Sequence, residues 1–173
     1  MEEIAQSVQV YDDFFPRRVQ SKVMRLMQRP KWSFTGGKPP NQFWHMNDLE
    51  TETYFTETLF GLICERLDRQ FAGFERIYAN GQTALQVGTP HIDDGDVTFL
   101  YYANPIWEPA WNGSLLFLDD KARIAHRVEY QPNRGILFPA ELVHYAEAPS
   151  ESFTGLRVSL AYKLLLAANG ETG

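Results

Sequence analysis

Apolar residues in the first 72 positions recur every three or four residues, which is the spacing of one face of an α-helix. This spacing predicts a helix over residues 16–29, with apolar positions at Val19, Val23, Leu26 and Met27. It predicts a second helix over residues 48–71, with apolar positions at Phe55, Leu59, Leu62, Ile63 and Leu67. Residues 32–44, between these helices, contain two glycines and two prolines, and this composition predicts a loop.

After Gly73 the pattern changes to short apolar runs separated by Gly, Pro, Asn and Asp, which is typical of β-strands joined by turns. The predicted strands cover residues 76–80, 97–103, 114–119, 124–130, 135–138, 142–146 and 156–165. Helices followed by a run of strands indicate an α+β chain with a mainly β core, a sandwich or barrel with supporting N-terminal helices. We predict one domain over residues 1–173, with helical support and loop in 1–72 and the β core in 73–173.

Composition and charge exclude several classes of protein. Of the 173 residues, 44% are hydrophobic and 22% are charged, which are values of globular proteins and not of disordered chains. The formal net charge of −6 disfavours a nucleic-acid binder, because phosphate contacts require a basic surface. We interpret the basic face of the first predicted helix as a solvated surface, and its residues are Arg18, Lys22, Arg25 and Arg29.

Cysteine usage and the first residues give expectations about location. Cys64 is the only cysteine, so the chain can form neither an internal disulfide nor a zinc site with several cysteines. The first ten residues are acidic and polar, unlike a signal peptide, and no apolar run approaches the roughly 18 residues of a membrane span. We therefore expect a cytoplasmic protein with no membrane partner. The sequence gives no indication of the oligomeric state.

Two histidines and an aspartate have the spacing of a metal site. His91 and Asp93 are two residues apart, so in a strand their side chains project to the same face. His144 follows in a later predicted strand. Two histidines and one carboxylate on one face of a metal, with the other coordination positions open, form the arrangement of non-haem Fe(II) oxygenases. We assign His45 and His126 to structure, because neither has a partner at ligand spacing.

An arginine and a serine share one face of the last predicted strand, where Arg157 and Ser159 alternate with apolar residues. Arginine is rarely buried without a partner, and its planar group binds a carboxylate through two hydrogen bonds. The pair therefore fits an anchor for the far carboxylate of a dicarboxylic ligand. The alternative is an internal salt bridge to a carboxylate of the chain. Lys163 is a second cation that could compete for a carboxylate, but it lies two positions beyond Ala161 and is expected to reach the end of the strand.

The order His91-x-Asp93, His144 and Arg157-x-Ser159 resembles the iron and 2-oxoglutarate signature of the Fe(II)/2-oxoglutarate-dependent dioxygenases. The surrounding sequence is similar to the prolyl 4-hydroxylase-like branch, in particular to its small phage and bacterial members. The segments that carry this similarity are residues 96–104, 112–117 and 132–139. The match covers about residues 74–165.

The resemblance implies a double-stranded β-helix, or jelly roll, with the site inside one open end. It implies Fe(II) bound by His91, Asp93 and His144, and 2-oxoglutarate that chelates the iron and extends its far carboxylate to Arg157. The other residues for which it implies contacts with 2-oxoglutarate are Ser159, Tyr102 and Tyr78.

The resemblance also implies an enzyme, a dioxygenase that consumes 2-oxoglutarate and O2, releases succinate and CO2 and hydroxylates its substrate, with ascorbate as an additional reductant. Halogenating relatives carry a small residue in place of the carboxylate ligand, so Asp93 implies hydroxylation or a related oxidation and not halogenation. The implied substrate is a prolyl residue in a peptide or protein, or a small molecule such as free proline. Two alternatives stay open: a cupin-type metal enzyme that does not use 2-oxoglutarate, and a non-catalytic ligand-binding jelly roll.

Overall fold

The computed structural model describes residues 2–167, and this part of the chain is mainly β with short helices. The α-helices are α1 (Glu2–Ser7), α2 (Arg17–Met27) and α3 (Phe60–Leu67). The strands are β1 (Gln9–Tyr11), β2 (Ser33–Gly36), β3 (Phe43–Met46), β4 (Phe71–Gln82), β5 (Val97–Tyr102), β6 (Leu115–Leu118), β7 (Ile124–Val128), β8 (Gly135–Pro139), β9 (His144–Ala146) and β10 (Arg157–Leu166). Short 3-10 turns cover Leu49–Thr51 and Pro109–Trp111, and a π-helical turn covers Tyr54–Leu59. None of the helices in the described part has the length and apolar character of a membrane span.

The strands form two antiparallel sheets. The larger sheet has seven strands in the order β1-β8-β5-β10-β4-β3-β2, and the smaller has three in the order β7-β6-β9. β10 is the central strand of the larger sheet and pairs with β4 on one side and β5 on the other. One hydrophobic core lies between this sheet and helices α2 and α3, and a second lies between the two sheets. The mainly β architecture that the sequence predicts is therefore confirmed.

Alternation along β10 sends its side chains to two different surroundings. Its even-numbered residues from 158 to 164 belong to the core that the helices cover. Its odd-numbered polar residues, Arg157, Ser159 and Lys163, project to the other face and are at most 2% exposed. Successive strand residues point to opposite faces, as the sequence predicts. Three polar side chains of one strand are therefore buried on the face of the sheet opposite the helices.

The predicted second helix is shorter and less regular than expected. Only α3 is α-helical, and 3-10 and π-helical turns occupy the first half of the predicted segment. That half contains Thr56 and Thr58, whose branched side chains are weak helix formers. Asp68 ends α3 with a φ of 49°. Phe71, predicted to be the last residue of the helix, is instead the first residue of β4.

The predicted loop over residues 32–44 is wrong in part, because β2 and β3 form a hairpin at the edge of the larger sheet. Trp44 lies opposite Gly81 of β4 in the register. Met46 is fully buried, and the rings of Phe34 and Trp44 pack with centroids 5.3 Å apart. These long-range apolar contacts outweigh the local turn composition. Together with β1, which pairs with β8, the hairpin brings strands from the N-terminal 72 residues into the sheet.

Asn133 ties the segment before α2 to the larger sheet. Its side chain accepts hydrogen bonds from the Phe15 N–H and the Tyr101 hydroxyl, both at 3.0 Å, and donates to the Phe15 carbonyl at 2.9 Å. The residue is 7% exposed and its φ of 61° lies in the left-handed region, which asparagine tolerates. This one side chain therefore satisfies three buried polar groups of other residues.

We expect Asn133→Ala to lower the free energy of unfolding by about 2–4 kcal/mol, because each buried hydrogen bond contributes about 0.5–1.5 kcal/mol and its partners would be left unpaired. Urea denaturation followed by tryptophan fluorescence measures this change. Asn112→Ala is the matched control, since Asn112 also has a left-handed φ, of 55°, but is exposed. If both variants lost the same free energy of unfolding, the destabilisation would come from the backbone conformation and not from the hydrogen bonds of Asn133.

Candidate metal and ligand site

His91, Asp93 and His144 come together in space although they lie on separate segments. His144 is the first residue of β9, and His91 pairs with it in an isolated antiparallel bridge. The Asp93 N–H donates to the Ala140 carbonyl at 2.8 Å, which fixes the turn after the bridge. One potential ligand atom of each residue lies within 4.8 Å of the other two. The structure therefore brings together the three residues that the sequence singles out, with the bridge in place of the expected strand.

The backbone determines which nitrogen of each histidine faces Asp93. His91 Nδ1 lies 2.8 Å from the Thr89 carbonyl oxygen, and His144 Nδ1 lies 2.7 Å from that of Leu142. Because a carbonyl oxygen only accepts, each Nδ1 carries a proton and each Nε2 of a neutral ring presents a lone pair. The Nε2 atoms lie 3.4 and 3.3 Å from the oxygens of Asp93. Metal-binding histidines make the same kind of hydrogen bond through their other nitrogen.

These three side chains fit a divalent transition metal. Two imidazole lone pairs that face a carboxylate are stabilised by a positive charge placed between them, which a metal ion or a proton can supply. The hydrogen bond between a protonated His91 and Asp93 accordingly raises the pKa of His91. With metal–nitrogen distances of about 2.1 Å, adjacent ligand atoms of an octahedral metal are about 3 Å apart. The separations of 3.3 and 3.4 Å are close to that value. Two histidines and one carboxylate are the donor set of non-haem Fe(II) sites.

Asp93 is buried and charged. Its side chain is 1% exposed, and Oδ2 accepts a hydrogen bond of 2.6 Å from the Thr98 hydroxyl and contacts Lys163 Nζ. Burial favours a raised pKa, but the contacts with His144 and His91 and the charge of Lys163 outweigh it and hold the pKa of Asp93 below its ordinary value. The site therefore offers an ionised carboxylate at neutral pH.

Arg157 is buried without an acidic partner. It is 1% exposed, and its guanidinium donates to the Gly113 carbonyl at 2.7 Å and to Gln82 Oε1 at 3.0 Å. The rings of Tyr102 and Tyr130 lie 5.3 and 5.0 Å from it. No carboxylate of residues 2–167 forms an ion pair with Arg157. The internal salt bridge that the sequence left open is therefore absent from the described part, and a buried cation of this kind favours an anionic ligand.

One cavity of about 400 Å³ connects Arg157 with the three potential metal ligands. The predicted site residues that line it are His91, Asp93, His144, Arg157, Ser159 and Tyr78. Tyr102 lies outside this lining: its ring packs against Arg157, and its hydroxyl donates to the Val128 carbonyl at 3.4 Å. A direct contact of Tyr102 with a ligand therefore stays a prediction. The volume lies in the range of small-ligand pockets, about 300–1,000 Å³.

The cavity wall contains residues that sequence reasoning missed. His45, assigned to structure, lies on the wall with Nε2 buried, and Asn80 lies opposite it on β4 with Oδ1 buried. Neither atom has a hydrogen-bond partner among the described residues, and buried polar atoms beside a cavity indicate where a polar ligand binds. Gln82 orients Arg157, and Lys163 contacts Asp93 instead of reaching the end of the strand. Alternation along β4 and β10 is the signal that points to Asn80, Gln82 and Lys163.

The fold resembles that of solved oxygenases, although the sequence matches no protein-family model and no curated protein. A prolyl hydroxylase from Trichoplax adhaerens, in complex with a peptide fragment of the hypoxia inducible factor oxygen degradation domain, is 18% identical over 92% of this chain and 83% of its own, with a TM-score of 0.67. A 2OG-Fe(II) oxygenase family oxidoreductase from Burkholderia pseudomallei is 12% identical over 95% of this chain and 89% of its own, with a TM-score of 0.70. HygX from Streptomyces hygroscopicus, with nickel and 2-oxoglutarate bound, is 13% identical over 97% of this chain and 88% of its own, with a TM-score of 0.66. The chain therefore has the fold that prolyl hydroxylases share with other 2-oxoglutarate/Fe(II) oxygenases.

Proposed function

We propose that the chain is a dioxygenase that depends on Fe(II) and 2-oxoglutarate, and that residues 1–173 form its single domain, a double-stranded β-helix. One observation carries this proposal: a single cavity is lined both by a potential metal site and by a buried arginine that has no acidic partner among residues 2–167. A cupin-type enzyme without 2-oxoglutarate has no need of the arginine. A non-catalytic jelly roll has no need of the three converging ligands.

In this proposal the chain binds Fe(II) through Nε2 of His91, Nε2 of His144 and one oxygen of Asp93. When bound there, the metal and 2-oxoglutarate would supply the oxidising chemistry, in which O2 and 2-oxoglutarate are consumed, one oxygen atom goes to the substrate and the other to succinate, and CO2 is released. The carbonyls of Thr89 and Leu142 hold the two imidazoles in the tautomer that ligation requires. Asp93 occupies the position where halogenating relatives carry a small residue, so we propose hydroxylation, with ascorbate as an additional reductant.

The chain binds 2-oxoglutarate along β10. Arg157 and Ser159 take the far carboxylate, and the small side chain of Ala161, opposite Tyr78 in the register, leaves room for the methylene groups. Leu100 lines the same cavity, so the co-substrate lies against apolar surface that excludes water. The ring of Tyr102 supports the guanidinium of Arg157 from outside the cavity.

The proposed substrate is a prolyl residue in a peptide or protein, or a small molecule. The peptide in the Trichoplax adhaerens complex supports the first choice. The turn between β2 and β3 contributes Gly37 and Lys38 to the cavity lining, and Phe43 and the 60% exposed Ile92 add apolar surface. The net charge of −6 argues against nucleic acid.

An anaerobic titration tests the proposed class. We expect the metal-free protein to bind Fe(II), and a weak visible charge-transfer band to develop only when 2-oxoglutarate is added as well. Succinate is the matched control, because it has both carboxylates but lacks the keto group that chelates iron. Bound metal without a band would favour the cupin-type enzyme, and failure to bind metal would favour the ligand-binding jelly roll. If the band is present, succinate release with prolyl peptides is the next measurement.

A further inference from the structure

A buried lysine lies beside the carboxylate of the proposed metal site. Lys163 and Asp93 have side chains that are 2% and 1% exposed, and Lys163 Nζ contacts Asp93 Oδ2. The Thr98 hydroxyl lies 3.3 Å from Nζ and donates to the same oxygen of Asp93. The ring of Tyr78 lies 5.3 Å from Nζ on the cavity side. Lysine is almost never buried to this extent unless it is paired, so Asp93 is the partner that makes its burial tolerable.

The strands hold this lysine firmly in place. In the register of β10, Lys163 lies opposite Arg76 of β4 and Thr98 of β5, so paired strands flank it on both sides. The neighbouring cation Arg76 already has its own carboxylate, because it donates to Asp94 at 2.7 Å. Asp93 is therefore the carboxylate left to balance the charge of Lys163.

Lys163 and a metal ion would stabilise the same negative charge. Lys163 and Thr98 are the hydrogen-bonding partners of Oδ2 of Asp93. His144 Nε2 lies 3.3 Å from this same oxygen, and His91 Nε2 lies 3.4 Å from Oδ1, so the lysine and the potential metal position share one carboxylate. Without a nearby cation, the buried carboxylate would be strongly destabilising. A divalent metal held by the two histidines and Asp93 would place a second positive charge beside the same carboxylate. The metal and the lysine would then repel each other, and such repulsion is strong where water is excluded.

We propose that Lys163 is a built-in cation that pairs with Asp93 and orients it in the metal-free protein, and that its charge thereby lowers the affinity of the site for divalent metal. It is a positioning residue that acts through Asp93. The inference rests on the proposed function, because it takes Asp93 as a metal ligand. Its consequence is a metal site that is already organised before the metal binds, and that binds the metal less tightly than the same site would without the charge of the lysine.

The test compares Lys163→Met, which keeps the length of the side chain and removes its charge, with Thr98→Val, which removes the other partner of Oδ2 and keeps the lysine. Co(II) is the probe, because it is stable in air, and its affinity is measured by competition with a chromophoric chelator. The melting temperature of each metal-free variant is measured in parallel. Lys163→Gln is a second neutral variant, and its Co(II) affinity and melting temperature are measured in the same way if Lys163→Met does not fold.

We expect the metal-free Lys163→Met protein to melt at a lower temperature than the parent but to bind Co(II) at least about tenfold more tightly, since the competing charge is gone. Thr98→Val is expected to bind Co(II) no more tightly than the parent. A lysine with a merely structural role would lower both stability and affinity. Unchanged or weaker Co(II) binding in the neutral variants overturns the inference.

The outcome for the parent separates this inference from the proposed function. If the parent binds metal and gives the band with 2-oxoglutarate, but the neutral variants bind no more tightly, the function stands and only the role of Lys163 fails. If the parent binds metal without a band and the neutral variants bind more tightly, the role of Lys163 stands and the dioxygenase fails. If the parent binds no metal, both fail.

Discussion

Replacing Asp93 by alanine is expected to abolish Fe(II) binding. The change removes the one carboxylate of the predicted ligand set and leaves two neutral imidazoles. It also leaves Lys163 without its counter-charge, so the site gains a net positive charge that repels the metal. Removing a group that only orients a metal ligand typically lowers metal affinity about 10–100-fold. Removing the ligand itself is expected to lower the affinity for Fe(II) by more than this. Anaerobic Fe(II) titration with a competing chelator measures the effect, and His91→Ala is expected to act in the same direction.

The neighbouring Asp94→Ala is the matched control for this prediction. Asp94 has the same chemistry one position later, but its side chain is 47% exposed and pairs with Arg76 at the rim of the site. We expect this variant to bind Fe(II) like the parent. Far-UV circular dichroism at the titration temperature checks that both variants are folded. Parent-like affinity in Asp93→Ala would show that the ligand assignment is wrong.

Replacing Arg157 by alanine is expected to weaken 2-oxoglutarate binding strongly and to leave Fe(II) binding intact. The guanidinium is 1% exposed, so a carboxylate bound to it is shielded from water. Removing one partner of such a buried charge pair costs about 2–5 kcal/mol, which corresponds to roughly 30-fold to several-thousand-fold in affinity. Titration of 2-oxoglutarate at saturating Fe(II), followed by the charge-transfer band, measures the loss.

Arg127→Ala is the control for the second prediction, because Arg127 lies on β7, is 43% exposed and pairs with Glu147 at 2.8 Å. Its affinity for 2-oxoglutarate is expected to equal that of the parent. If Arg157→Ala kept the parent's affinity, the anchor would have to be another cation of the cavity wall, which is also lined by Lys163, Arg76 and Lys38. A loss of Fe(II) binding in Arg157→Ala would instead indicate a general disturbance of the fold.

The components of the candidate site were predictable where chemistry and local alternation point the same way. The spacing of His91 and Asp93 and the position of His144 single them out, and the structure brings them together. Alternation along β10 likewise places Arg157 and Ser159 on the cavity face. The roles of these residues stay predictions. The same alternation includes Lys163, and the expectation that it reaches the strand's end was wrong because β10 is paired on both sides there.

The features that were not predictable depend on pairings between distant segments. The β2–β3 hairpin lies in a stretch rich in glycine and proline, and it forms because β4 offers a free edge for β3 to pair with. His45 reaches the cavity wall only through that register, opposite Asn80. The local composition of a segment does not reveal which distant strand it pairs with. Helical spacing likewise does not predict the π-helical turn before α3, because the same apolar positions fit a regular α-helix.

The three proposed ligands differ greatly in their access to solvent: the side chain of His91 is 51% exposed, whereas those of His144 and Asp93 are 5% and 1% exposed. His91 also lies outside the regular strands, and two backbone hydrogen bonds of its bridge, of 3.0 and 2.9 Å, connect it to His144. A metal bound here would enter and leave past His91, while the other two ligands stay fixed in the protein interior. The exchange rate of the metal would then depend on how often the short segment around His91 opens, and not on the unfolding of either sheet.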